Sequence, residues 1–445
     1  MRNPKQPVPR RTGDQADKRP RPERKSRHTR VFIGLLAGLA AGFAVRLSGL
    51  PEDTVESIVR WVKPAGDVFL RMLFMTVMPV LISALSLGVS ELGDIRRVGR
   101  IGLKTLGFTL FVSGAAVLTG VLAVHVVNPS GGLSEADRLA LLKRFPVPAS
   151  AQTAETQAGG GMIDALVKIV PKNPLEDMVR AFDPSYTGGG ILAVIFFAFM
   201  LGIAMALAPP AKTAGLKACL EGLFETMMKL IDIGMRFAPV GVFALLFSLS
   251  ATMGFSILAI LSRYVAVVLA GLLVHLFFTY SVLLSSFGRM RPGFFFRNTA
   301  ELMLIAFSTS SSNATLPAAL RTATERLGLK KDVSRFVLTL GATANQNGTA
   351  LYEGVTVLFL AGCFGVHLTF VQQITVVVLC VLAGVGTAGV PGGSLPAVIM
   401  ILAGIGVPAE SMGIILGIDR LLDMSRTVVN VQGDLVAAAV VNRSS

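Results

Sequence analysis

Long apolar runs separated by short polar breaks set the pattern of this chain. Runs of around 20 apolar residues match a hydrocarbon core roughly 30 Å thick. Six such spans are read in the first two thirds: about Val31 to Leu50, Gly66 to Leu92, Ile101 to Val127, Gly189 to Leu207, Leu223 to Leu249 and Ile257 to Ser286. Pro79 predicts a kink in the second and Pro239 an interruption of the fifth. Gly34, Gly38 and Gly42 recur at four-residue spacing, which fits either close approach of another backbone or ordinary glycine in a membrane helix. Residues 130–188 form a polar insert around "SAQTAETQAGGG", read as a loop with a short helix about Ile163 to Val170. The ten-residue alternation of a membrane barrel is absent.

After Phe296 the pattern changes. Residues 297–327 are broken by "STSSSNATLP", 332–364 by "NQNGT" and 370–407 by "GVGTAGVPGGSLP", and the span 409–441 carries charge in its middle. A broken segment and a span, followed by another such pair, is the pattern of inverted repeats. Their discontinuous helices meet at a site near the midplane. The expected fold class is an all-α polytopic membrane protein.

Composition sharpens this picture. The 445 residues are 52% hydrophobic and 15% charged, with mean hydropathy +0.66, too few charges for a soluble domain of this size. The net charge of +14 is concentrated at the start: residues 1–30 hold eleven Lys and Arg against three Asp and Glu, a net of +8. Beside a first span the positive-inside rule accounts for this tail, placing the N-terminus in the cytoplasm with no nucleic-acid partner. The tail's low apolar content predicts disorder, and no small-residue cleavage pattern marks a signal peptide. Cys219, Cys363 and Cys380 are isolated, without metal spacing or a disulfide framework.

The last span reads "GIDRLLDMSRTVVNVQGD". Asp419, Asp423, Arg426, Asn430 and Asp434 are spaced 4, 3, 4 and 4. At about 100° per residue they fall within an arc of about 80°, which Arg420 and Thr427 widen to about 120°. Each charge at the bilayer centre costs roughly 2.5–3.5 kcal/mol, so the stripe must face protein or water. Two readings stay open here: an internal ladder of ion pairs, Arg420 and Arg426 each with Asp423, or a binding stripe. Three aspartates against two arginines leave a deficit that cations would fill, and arginine suits bidentate recognition of a carboxylate.

The breaks supply the other candidates. "STSSSNATLP" puts hydroxyls and backbone N–H groups where a half-helix would start and attract an anionic group, although serine-rich turns are common. "GVGTAGVPGG" matches G-x-G-x-x-G, but no strand precedes it, so a dinucleotide site is excluded. A glycine-rich hairpin tip whose carbonyls ligate Na⁺ fits better. Catalysis finds no support: there is no G-x-S-x-G, no metal motif, and the four histidines lie off the polar stripe. An enzyme and an organic cofactor are not expected.

Taken together and in order, "STSSSNATLP", "GATANQNGTALYE", "GTAGVPGG" and "GIDRLLDMSRTVVNVQGD" resemble the glutamate transporter family of dicarboxylate/amino acid:cation symporters, over about residues 31–442. The resemblance implies eight transmembrane helices plus two re-entrant helical hairpins, an inverted repeat, an elevator mechanism and a homotrimer. It implies a scaffold (about 31–92 and 189–250), a transport domain (about 101–127 and 257–442), the polar loop of about 130–188 and a cytoplasmic tail, 1–30. By motif, Asp423 corresponds to the residue that binds the substrate amino group and Arg426 to the one that pairs with its side-chain carboxylate. Thr349, Thr427 and Asn430 complete the polar contacts, and Ser310, Ser311 and Ser312 close over them with the loop from Val390 to Ser394. One sodium site is implied at Asp434, Asn430 and the carbonyls of Gly341 and Asn345. A second is implied at the carbonyls of Thr343, Gly384, Val385 and Thr387.

The sequence departs from the family in three places. The usual Asn-Met-Asp-Gly-Thr becomes Asn345-Gln346-Asn347-Gly348-Thr349, and the hydroxyl pair of the third span reads Val112-Ser113. The missing Asp and that pair serve a further sodium site, so the family's full stoichiometry is not expected. Glu353 matches the position of a proton-linked glutamate in neuronal members, and is read either as a proton carrier or as a neutral structural acid. Arg420, three residues before Asp423, is expected to balance its charge in place of an arginine at the first hairpin tip.

The function expected is import of an acidic amino acid, glutamate or aspartate, with Na⁺, and with H⁺ if Glu353 is the proton carrier, across the inner (plasma) membrane. The alternatives are an H⁺-coupled C4-dicarboxylate or neutral amino-acid symporter of the same family, and, outside the class, an anion channel.

Overall fold

The computed structural model describes residues 23–95, 100–145, 167, 170–181, 183, 186, 190–386 and 392–444. Among them there is no strand. The helices are α1 (Glu23–Leu47), α2 (Glu52–Ile95), α3 (Arg100–Val127), α4 (Glu135–Arg144), α5 (Pro174–Arg180), α6 (Gly190–Leu207), α7 (Pro210–Met253) and α8 (Phe255–Gly288, with two π-helical turns). They continue as α9 (Pro292–Thr309), α10 (Ser312–Arg321), α11 (Lys331–Ala344), α12 (Asn347–Cys363), α13 (Phe370–Gly386), α14 (Leu395–Gly404) and α15 (Leu416–Ser444).

Among the described residues, five helices are long and apolar enough to cross a membrane: Thr29–Leu47, Glu52–Ser90, Lys104–Val127, Pro210–Met253 and Phe255–Gly288. Shorter apolar helices run over Ala193–Leu207, Phe370–Gly384 and Leu395–Gly404.

Several boundaries differ from those the apolar pattern gave. α2 and α7 each run 44 residues, about 66 Å at 1.5 Å per residue. The pattern saw only their apolar stretches, because the polar turns at 52–65 and 210–222 continue the helix without continuing the hydrophobicity. Pro239 does not interrupt α7, and Pro64 and Pro79 lie inside α2. Among its described residues the polar insert contains two short helices, α4 and α5, neither at the 163–170 position read from the sequence. Ser134 caps α4 by accepting from Asp137 N at 3.1 Å, and Asn173 caps α5 ahead of Pro174. Helix begins at Glu23, inside the segment expected to be disordered. The rest of that tail, and the insert helix expected at 163–170, lie outside the described residues apart from 167 and 170.

The glycines of α1 have one clear role. A Cβ at Gly34, Gly38 or Gly42 would run into the carbonyl oxygens of Pro239, Phe243 and Phe247 on α7, so close backbone approach is what these positions serve.

α1, α2, α6 and α7 pack on one another, with α2–α7 and α1–α7 the most extensive pairings. Separately, α3 packs on α12, and α15 packs on α9, α11 and α12. The two sets meet where α13 and α14 lie against α2, α14 against α6, and α1 against α15.

The broken segments after Phe296 are helix–turn–helix units. α9 ends at Ser310, which takes a left-handed conformation (φ 48°), and α10 starts under an N-cap from Ser311 to Ala314 N at 3.2 Å. α11 and α12 are separated by two non-helical residues, Asn345 and Gln346. α13 and α14 flank a turn at 392–394 in which Gly392 has φ 77°.

Candidate polar binding site

The polar stripe of α15 faces inward. Asp419, Asp423, Arg426, Thr427, Asn430 and Asp434 are all buried, Arg426 to 2% exposure. Arg426 Nε and Nη2 donate to Asp423 Oδ1 at 3.0 and 2.9 Å, and Nη1 donates to Asp419 Oδ1 at 3.3 Å. Arg420 Nη1 donates to Asp423 Oδ2 at 3.0 Å. Asp423 is therefore held from both sides by Arg420 and Arg426, as the ladder reading has it. The guanidinium of Arg426 also lies over the Tyr352 ring, 4.2 Å from its centroid, a desolvated cation–π contact.

The ladder resolves the charge deficit of the stripe. Two arginines neutralise Asp419 and Asp423, and Asp434, on the same side two turns further on, has no arginine partner here. Its Oδ1 accepts a hydrogen bond from Asn345 Nδ2 at 2.8 Å. Gly341 lies so close that any Cβ there would strike the Asp434 carboxylate. Asn345 Oδ1 is buried without a hydrogen-bond partner. The Gly341 carbonyl accepts from Asn345 N at 2.9 Å, which leaves its second lone pair. A carboxylate, an orphaned amide oxygen and a carbonyl within one buried corner make a hard oxygen donor set of the kind that suits Na⁺ or another hard cation.

Asn430 organises the break between α11 and α12. Its Oδ1 accepts from Gly348 N at 2.7 Å and Thr349 N at 3.3 Å, and its Nδ2 donates to Gln346 Oε1 at 2.5 Å and Thr349 Oγ1 at 3.1 Å. The orphan N–H groups that begin α12 are thus satisfied by a side chain of α15. Gln346 Nε2 closes the unit on Ala342 O at 3.0 Å. Gly384 belongs to this corner too, since a Cβ there would lie 3.5 Å from Gln346 O and 3.3 Å from Ala350 Cβ.

The two departures of the third span and the break turn out to be partners. Ser113 Oγ donates to Asn347 Oδ1 at 2.7 Å, Asn347 Nδ2 donates to Tyr280 OH at 3.3 Å, and Tyr280 OH donates to Val429 O at 3.0 Å. One neutral chain of hydrogen bonds ties α3, α12, α8 and α15. Glu353 lies one further turn along α12, at 0% exposure, and neither carboxylate oxygen has a hydrogen-bond partner.

Other expected residues are placed less centrally. Thr427 Oγ1 bonds back to Asp423 O at 2.7 Å. Ser310, Ser311 and Ser312 are buried at the α9–α10 turn, where the Oγ atoms of Ser310 and Ser312 lack partners and Ser311 is spent on its cap. Ser394 Oγ is also buried and unpartnered. The Thr343 side chain is exposed and bonds Leu340 O at 3.0 Å. Val385 falls in the last turn of α13, and Thr387 and Val390 lie outside the described residues.

Sequence reasoning missed Tyr352, Tyr280 and the Asn430–Gln346 pairing. A tyrosine in the otherwise apolar run after "NGTAL" was a usable signal for the first. Nothing in sequence ties Tyr280 to Asn347, 67 residues away.

Residues 28–444 match the model of the Sodium:dicarboxylate symporter family. The chain is 31% identical over 413 residues to a proton/sodium-glutamate symport protein of Bacillus caldotenax, covering 93% of each chain. It is 31% identical over 416 residues to a proton/glutamate-aspartate symporter of Escherichia coli (strain K12), covering 92% of this chain and 91% of that one. It is 30% identical over 446 residues to an excitatory amino acid transporter of Caenorhabditis elegans, covering 92% and 85%.

Proposed function

We propose, on the premise that this chain belongs to the Sodium:dicarboxylate symporter family, that it is a secondary active symporter for glutamate or aspartate, driven by Na⁺ with H⁺ as a further coupled ion. The observation that carries the reading is the buried Arg420–Asp423–Arg426–Asp419 cluster beside the break that Asn430 holds open. An acidic amino acid brings one ammonium and two carboxylates. Asp423 receives the ammonium, Arg426 turns its fork to the side-chain carboxylate, and Arg420 keeps Asp423 compensated when Arg426 does so. Thr349, Thr427 and Asn430 supply the remaining polar contacts, and the unpartnered hydroxyls of Ser310, Ser312 and Ser394 close the site. Na⁺ is held at Asp434, Asn345 and Gly341, and a second ion by carbonyls at Thr343, Gly384, Val385 and Thr387. Glu353 carries the proton, since an anion at that position has no donor to compensate it.

The packing of α1, α2, α6 and α7 apart from α3, α8–α12 and α15 supports a division into scaffold and moving transport domain. We extend this to an elevator motion with eight spans and two hairpins, a homotrimer and a cytoplasmic N-terminus in the inner (plasma) membrane. One observation favours a second reading. Both oxygens of Asp423 already face arginines, which suits a C4-dicarboxylate that has no ammonium to offer.

Uptake of labelled aspartate into proteoliposomes, with Na⁺ and H⁺ gradients imposed separately, tests the proposal. The expected result is accumulation that needs inward Na⁺ and is blocked by glutamate more than by succinate. Uptake indifferent to Na⁺ overturns the cation assignment, and stronger competition by succinate selects the second reading.

A further inference from the structure

A half-open apolar crevice with a cavity volume of about 50 Å³ lies apart from the polar site. Its walls include Val80 and Ala84 of α2, Phe224 and Met228 of α7, Ala383 of α13 and Ala397 of α14. It is therefore formed jointly by the set of helices around α2 and α7 and by the α13–α14 unit. Every side chain that lines it is apolar. A water molecule needs two to four polar partners, and a charged or zwitterionic solute would leave its charges unpaired. The volume is well below the roughly 300–1,000 Å³ of a site that encloses a whole small molecule, so what fits is a segment of a longer chain. The chemistry admits only an apolar occupant.

The surroundings identify its source. The lining stretches belong to Glu52–Ser90, Ala193–Leu207, Pro210–Met253, Phe370–Gly384 and Leu395–Gly404, all apolar helices. One ridge at four-residue spacing leads into the crevice from exposed surface: Ile374, Val378 and Leu382 on α13, the first two 47% and 49% exposed. The corresponding row on α7 is closed at Leu220, which packs against Leu87 and Met205. Side chains four apart on a helix stand one above another, so the α13 ridge is a continuous apolar track. In a bilayer the medium against the outer end of the α13 track is hydrocarbon, and what enters along it is a flexible linear chain.

We propose that this cavity seats an acyl chain of a bilayer phospholipid, wedged between α2 and α7 on one side and the α13–α14 unit on the other. The site is independent of which solute is transported, so its test does not depend on the symport reading. The full chain is reconstituted in vesicles containing a phospholipid with a diazirine in mid-chain, irradiated, and the labelled peptides mapped by mass spectrometry. Label is expected to concentrate on 80–85, 224–228 and 379–383. Ala84→Trp should lower it about fivefold, equivalent to about 1 kcal/mol, and leave label on the exposed Phe370 and Val371 unchanged. Ala84→Leu is run beside it as the milder filling, and size-exclusion profiles report folding. A diazirine-bearing free fatty acid forms the second arm. The proposal is overturned if the lining is labelled no more than Phe370 and Val371, if label survives both substitutions in folded protein, or if only the free fatty acid reaches the cavity. Should neither variant fold, the map of the unsubstituted chain decides between the same outcomes.

Discussion

Two chain breaks in this molecule are built from similar small polar residues and treat them oppositely. At the α11–α12 break, Asn345, Gln346, Asn347 and Gly348 each have a partner on another element or on the preceding turn, and Asn430 alone makes four hydrogen bonds there. At the α9–α10 break, the hydroxyls of Ser310 and Ser312 are buried and bonded to nothing. A buried group left unsatisfied costs about 1–3 kcal/mol, so the second break carries that penalty at two hydroxyls and the first only at Asn345 Oδ1, the oxygen beside Asp434. On the proposed function the difference separates framework from receptor: paired amides hold the bend in place, while unpartnered oxygens are free to bond whatever enters.

That contrast can be broken or sharpened by substitution. The largest effect is expected at Arg426, the centre of the buried ionic cluster. Arg426→Ala strands Asp419 in the core, and removing one member of a buried ionic network costs about 3–5 kcal/mol. Aspartate uptake should fall more than about a hundredfold, and Arg426→Lys should not restore it, because a lysine lacks the planar fork that spans two carboxylates. Retained uptake in Arg426→Lys would show that charge alone suffices.

Asn347→Asp tests whether the neutral link through Ser113 and Tyr280 stands in place of an ion. The new carboxylate should lower the melting temperature in Na⁺-free buffer and make it recover with Na⁺. Binding of that kind is worth about 2.7 kcal/mol at a hundredfold excess over the dissociation constant. A melting curve indifferent to Na⁺ would mean that the corner accepts no cation.

Asn430→Ala should destabilise by about 1–3 kcal/mol, since it orphans the Gly348 and Thr349 N–H groups. The check is thermal unfolding in detergent. The smallest effect belongs to the other break. Ser310→Ala and Ser312→Ala should leave melting unchanged or slightly raised, while weakening aspartate binding about fivefold, roughly 1 kcal/mol each. If these serines prove costly to the fold and neutral for binding, the division into framework and receptor is wrong.

The parts of this that could be read from sequence follow from periodicity. The stripe from Asp419 to Asp434 fell on one face because helix geometry fixes it, and the structure buries that face. The breaks at "STSSS" and "NQNGT" were visible because hydroxyls and amides interrupt apolar runs. The lengths of α2 and α7 were not visible, because helix continues through Pro64 and the polar turn after Pro210 on local hydrogen bonding, to which hydropathy is blind. Cross-chain partners were hidden for a different reason. Tyr280 reaches Asn347 and Val429 from α8, and only packing decides which of several buried tyrosines does so. The ladder was foreseen pairwise, yet Asp419's share in Arg426 was not, since seven residues along a helix are two turns and only a long side chain spans them.

The ladder also has an electrical meaning. Arg420, Asp423, Arg426 and Asp419 form a group of two positive and two negative charges joined by hydrogen bonds. Carrying one elementary charge through 100 mV is worth about 2.3 kcal/mol, and a group that moves as a neutral whole is not driven by that field. The membrane voltage then acts on the remainder, Asp434 and Glu353 and whatever ions they hold. The charge moved per molecule of cargo, set against the cargo's own charge, is in effect a count of the cations that travel with it, and a voltage-clamped vesicle would read it directly.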